Sequence, residues 1–91
     1  MAIVFIPTML QPLSAGVREV TIDAVNVRGI VDELENRYPG IKARLVEEGR
    51  LSPNVSVAID GEIARMGLLE KVSENSEVHF VPAIGGGSGP R

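Results

Sequence analysis

Between residues 27 and 38 the apolar side chains Val27, Ile30, Val31, Leu34 and Tyr38 recur at helical spacing, while Arg28, Asp32, Glu33, Glu35 and Arg37 take the opposite surface. This is the single long amphipathic helix the sequence offers, and it limits the fold to a sheet that buries one apolar face against one helix. Asn26 is placed to act as its N-cap. Pro39-Gly40 supplies the stop, because proline disfavours helical geometry in the residue before it and glycine accepts a left-handed turn. Gly29 in the first turn weakens the helix by about 1 kcal/mol relative to alanine. Residues 41–48 are expected to add one short helical piece ending at Gly49.

The remaining apolar residues follow strand patterns. Residues 2–6 form a nearly continuous apolar run closed by Pro7, which predicts a central strand covered on both faces. Residues 8–17 carry Pro12 and Ser14-Ala15-Gly16 and are read as a loop or wide hairpin connection. Residues 18–22 alternate, with Val20 and Ile22 on one face, giving a second strand antiparallel to the first. Val55, Val57 and Ile59 alternate up to Asp60-Gly61, a hairpin signal that turns the chain back into Glu62-Ile63-Ala64. Gly67-Leu68-Leu69 and residues 73–76 read as connection and turn. The last strand, residues 77–82, sets Val78 and Phe80 on one face and His79 and Val81 on the other. If the first and last strands are neighbours at the centre, their connection is a parallel crossover and the chain is an α+β roll of β-grasp type. One long helix favours this over a ferredoxin-like sandwich. The expected organisation is a folded domain over residues 1–84 and a flexible glycine-rich tail over residues 85–91.

Composition narrows the function. The 91 residues suit one domain, and with 44% hydrophobic but only 3% aromatic residues the core must be built from Val, Ile, Leu and Ala. With no cysteine there is no disulfide, thiolate nucleophile or Cys-based metal site, and one histidine excludes a His-rich one. A net charge of −3, with basic residues spread singly from Arg18 to Arg91, argues against electrostatic binding of nucleic acid. The first residues lack a cationic leader, and Pro7 cuts the apolar run far short of a membrane span, so a soluble cytoplasmic protein is expected.

No catalytic constellation emerges. His79 stands alone on an alternating strand without a neighbouring nucleophile, and Ser14, Ser73 and Ser76 read as turn residues. Glu33, Glu35, Glu47 and Glu48 read as a solvated face. Gly85-Gly86-Gly87 is not a phosphate loop, since no helix and no Lys-Ser or Lys-Thr pair follows it. What a run of glycines can contribute is backbone and carboxylate chemistry. Without side chains, it can thread a channel that any Cβ would obstruct.

Four segments resemble the MoaD/ThiS family of ubiquitin-like sulfur carriers, and its CysO-type members most. These are Phe5-Ile6-Pro7-Thr8-Met9-Leu10, the helix from Val31 through Pro39-Gly40, Val57-Ala58-Ile59-Asp60-Gly61, and Val81-Pro82-Ala83-Ile84-Gly85-Gly86-Gly87. The resemblance implies a carrier, with no catalytic residue, metal or bound cofactor of its own. In that family an ATP-dependent activating enzyme adenylates the terminal glycine carboxylate, and a sulfur donor (a rhodanese or sulfide) displaces AMP to leave a thiocarboxylate. A sulfur-accepting biosynthetic enzyme, for cysteine or a sulfur-containing specialised metabolite, then takes the sulfur. The resemblance assigns attachment to Gly87 and the threading tail to Gly85, Gly86 and Gly87. Here the glycine pair is followed by Ser88-Gly89-Pro90-Arg91, so removal of residues 88–91 is expected, with a zinc metalloprotease as the trimming enzyme. By analogy with the fold, docking falls to the exposed sheet face near the tail, with Met66, Leu68, Leu69, His79 and Val81 as candidates. The competing functions are a ubiquitin-like modifier joined to lysines through Gly87 and the small subunit of a molybdopterin synthase.

Overall fold

The first strand, β1 (Ala2–Phe5), buries every second residue, and the sheet is built outward from it. The computed structural model describes residues 1–82, so Gly85, Gly86 and Gly87 and the expected tail lie outside the described residues. Antiparallel β2 (Glu19–Ile22) flanks β1 on one side. On the other side lies β7 (Glu77–Pro82), parallel to β1 with Val4 opposite Val78 and Phe5 opposite His79. Next come β5 (Val55–Ile59) and β6 (Glu62–Ile63), completing the order β2-β1-β7-β5-β6. The central parallel pair inferred from the strand order is therefore present, and β7, the middle strand, leads toward the tail.

The helix α1 (Val27–Arg37) lies across one face and buries Val27, Ile30, Val31 and Leu34. Opposing them are Ala2 and Val4 of β1, Ile22 of β2, Val57 of β5, and Val78 and Phe80 of β7, all in one aliphatic cluster. Each Val, Ile, Leu or Phe side chain among them contributes about 1.5–3 kcal/mol when fully buried. Asn26 caps α1 as expected: its Oδ1 accepts the N–H of Gly29 at 2.8 Å. The glycine that weakens the helix has a packing reason, since a Cβ at position 29 would lie 3.1 Å from the Ala24 Cβ.

Three expectations change. Residues 2–6 are not covered on both faces: Ala2 and Val4 are buried but Ile3 and Phe5 are only half-buried, because α1 covers just one side of the sheet. Residues 8–17 contain a 3₁₀ helix, Thr8–Ser14, which buries Leu10 and Ser14; the Ser14 hydroxyl donates to the Val17 carbonyl at 2.8 Å. The second helical piece is shorter than expected. It is α2 (Ile41–Leu45), after which β3 (Val46–Glu47) pairs with β4 (Arg50–Leu51) in a small hairpin. Glu48 and Gly49 turn that hairpin with φ of 53° and 78°, the left-handed pair that a tight two-residue turn demands.

Candidate docking face and tail exit

Strand alternation divides β7 between core and surface. Val78 and Phe80 point into the core, whereas His79 and Val81 face the uncovered side of the sheet. Register then aligns a row across that outer face: Glu19, Phe5, His79, Ala58 and Ile63 lie successively opposite one another on the five strands. At its centre the Phe5 and His79 rings are stacked, with centroids 4.2 Å apart and planes within 5°. Such stacking contributes about 0.5–1.5 kcal/mol beyond area burial. His79 Nε2 lies 3.9 Å from Glu77 Oε1, an ion pair only when the imidazole is protonated.

Beside this row an open hollow of about 470 Å³ is lined by Phe5, Pro7, Met9, His79, Val81 and Pro82 among others. Pro82 pairs with Val55 at the end of the ladder, so the chain leaves the sheet at the rim of this hollow. The strand is anchored at its start as well. Asp60 accepts the N–H of Glu77 on Oδ1 and donates its own N–H to the Glu77 carbonyl, both at 2.9 Å. The outer face thus mixes apolar and polar side chains, is mostly apolar around the hollow where the chain leaves β7, and carries one imidazole. Among the described residues no group of three or more His, Asp or Glu side chains is arranged to hold a metal.

The five candidate docking residues fall on different surfaces. His79 and Val81 belong to the outer face. Met66 and Leu69 are 62% and 65% exposed but line a separate hollow with Arg28 of α1, on the helix side of the molecule. Leu68 is a correction: it is only 8% exposed and packs into the core cluster, because the 3₁₀ turn Gly67–Leu69 points its middle residue inward. Sequence reasoning also missed Phe5, Met9 and Ile63 as surface apolar residues. Phe5 holds an odd position of β1 and could have been read as outward-facing from its two-residue period; Met9 and Ile63 give no such signal.

The chain matches the ThiS family model over residues 10–87, a span that covers most of the fold and reaches the second glycine of the pair Gly86-Gly87. It belongs to the ThiS family. Among relatives of this ThiS-family chain, the sulfur carrier protein CysO of Mycobacterium tuberculosis is 30% identical over 89 residues, covering 92% of this chain and 96% of that protein. Small archaeal modifier protein 3 of Haloferax volcanii is 30% identical over 67 residues, 71% of this chain and 73% of that protein. A chain from the crystal structure of the Amycolatopsis orientalis BexX/CysO complex superposes with a TM-score of 0.87 at 33% identity, covering 99% of this chain and 100% of its own. The fold is accordingly the ubiquitin-like β-grasp, and this ThiS-family member stands among small carrier proteins, not enzymes. No helix among the described residues is long and apolar enough to cross a membrane.

Proposed function

We propose that the protein is a CysO-type sulfur carrier whose working group is a thiocarboxylate on Gly87. The observation that carries this reading is the ThiS-family match ending at Gly87, directly after the strand segment that leaves the middle of the sheet. Because Ser88 follows, the Gly87–Ser88 peptide bond is hydrolysed first, by a metalloprotease in this proposal, freeing the Gly87 carboxylate. A carboxylate is a poor electrophile, so an ATP-dependent activating enzyme joins it to AMP with release of pyrophosphate. Sulfide then attacks the carbonyl carbon, the C–S bond forming as the bond to AMP breaks. Where the donor is a rhodanese persulfide, the same attack gives an acyl disulfide, and a second thiol attacks the rhodanese sulfur, forming a disulfide and releasing the thiocarboxylate. The thiocarboxylate sulfur is anionic and nucleophilic and attacks an electrophilic carbon of the substrate held by an accepting biosynthetic enzyme, for cysteine or a related sulfur metabolite, displacing the leaving group on that carbon. Hydrolysis of the acyl link then frees the product and returns the Gly87 carboxylate. The outer sheet face around Phe5, His79 and Val81 is the docking platform for these partners, and the cytoplasm, where ATP is available, is the compartment.

Intact-mass spectrometry tests the proposal. A chain ending at Gly87, given activating enzyme, ATP and a sulfur source, is expected to exchange one oxygen for sulfur, and the chain running to Arg91 is expected to remain unchanged. Equal conversion of both rules out the processing step; conversion of neither rules out the carrier reading. The relative named as a modifier supports a second reading, isopeptide attachment of Gly87 to lysines of other proteins. That reading predicts a ladder of conjugates carrying this chain, which a pure carrier does not form.

A further inference from the structure

We propose that the hollow on the helix side is a second docking site, which takes a short partner peptide carrying carboxylates around an apolar side chain. The hollow holds about 400 Å³ and is lined by Leu51, Met66 and Leu69 together with Arg28, Arg50 and Arg65. A smaller one of about 170 Å³ adjoins it, sharing Arg28, Gly49 and Leu68, with Val31, Val46 and the Asp32–Lys42 ion pair in its lining. Met66 and Leu69 are exposed large apolar side chains that the fold does not need outside.

The charges decide the occupant. Three arginines line one groove on a chain whose net charge is −3. None of the three comes within 4.0 Å of a carboxylate among the described residues. Of the nearby acids, Asp32 pairs with Lys42 at 2.8 Å and Glu70 Oε1 accepts the N–H of Met66 at 3.2 Å. Glu47 lies across the β3–β4 hairpin beside Arg50, which leaves Arg28 and Arg65 as the main carboxylate-binding pair. Arg28 is further at odds with its place in the first turn of α1, where the positive end of the helix dipole disfavours a cation. An apolar floor with an unpaired guanidinium rim complements carboxylates bracketing a Leu, Ile or Phe, since guanidinium binds carboxylate in a two-pronged geometry. A second copy of this acidic chain is a poorer match. The inference stands apart from the chemistry of Gly87, because it concerns a surface on the other side of the sheet.

The test pans a displayed library of random linear peptides on the full chain, then measures the consensus peptide by fluorescence polarisation. The expected consensus contains at least two Asp or Glu around an apolar residue. Its affinity is expected to fall about tenfold or more on the combined variant Arg28→Gln, Arg50→Gln, Arg65→Gln, and likewise on Met66→Ser with Leu69→Ser, and to fall steeply with salt. A Thr21→Ser variant on β2, outside either docking surface, should leave it unchanged. All the replaced groove side chains are exposed, and circular dichroism checks that each variant folds. A neutral or basic consensus, no enrichment, or binding indifferent to the arginine variant overturns the proposal. So does a dimer, seen by sedimentation, that the Met66→Ser, Leu69→Ser variant disperses, or binding of anionic phosphatidylserine vesicles that the wild type shows and the arginine variant loses.

Discussion

Glu35 shows how much one side chain can do that its position on a helix does not reveal. Its carboxylate accepts the N–H of Lys42 at 2.8 Å and the N–H of Gly40 at 3.1 and 3.2 Å, splicing the end of α1 to the start of α2. Those bonds, Lys42 first, hold its pKa below the ordinary 4.5. A depressed folded-state pKa adds stability that is fully present above 4.5 and is lost as pH falls through the lower folded value. Urea midpoints of the wild type and Glu35→Gln should therefore converge as pH is lowered from neutrality to below 4.5; curves that stay parallel would remove this role. Sequence periodicity placed Glu35 on the solvent side and assigned it to a solvated face. Periodicity gives direction but not the partner beyond the Pro39-Gly40 turn, so the splice was not legible.

At the scale of the element, the cap of α1 is the part of the fold most directly readable from sequence, because Asn26 precedes the first periodic apolar residue. Asn26→Ala should cost about 1 kcal/mol in urea or thermal unfolding, whereas Asn26→Asp should retain most of the stability, since a carboxylate also accepts the Gly29 N–H and suits the helix N-terminus. Equal loss from both substitutions would show that something other than the cap bond matters there. The β3–β4 hairpin was not legible for the opposite reason. Strands of two residues are too short to display alternation, and Val46 follows directly on the helical pair Ile41 and Leu45, so its apolar character extended the helical pattern. The one clue was Glu48-Gly49, which was read as a helix end instead of a two-residue turn. The helix-side groove depends on this hairpin, which explains why sequence grouped Met66 and Leu69 with the sheet-face residues.

For the whole molecule, the parallel pairing of β1 with β7 followed from strand order and the helical crossover between them, and the structure has that pairing. The uncovered outer face was harder to foresee, because Ile3 and Phe5 make β1 as apolar as a strand buried on both sides. Among the described residues, the seventeen buried hydrophobic core residues lie between Ala2 and Phe80. A chain stopped after Ile84 should therefore unfold within roughly 0.5 kcal/mol of the longer one, in the range usual for changes away from a core, while failing to accept sulfur. A large drop in its urea midpoint would show that the tail takes part in the fold.

The middle position of β7 also has a mechanical meaning. An edge strand can be peeled from its single neighbour one hydrogen bond at a time, but β7 is bonded to β1 on one side and β5 on the other. Tension applied beyond Pro82 runs along the strand and loads both ladders in shear, so many bonds must give way together. On the proposed carrier reading, a partner that pulls on the residues after Pro82 loads this doubly bonded strand and not an edge.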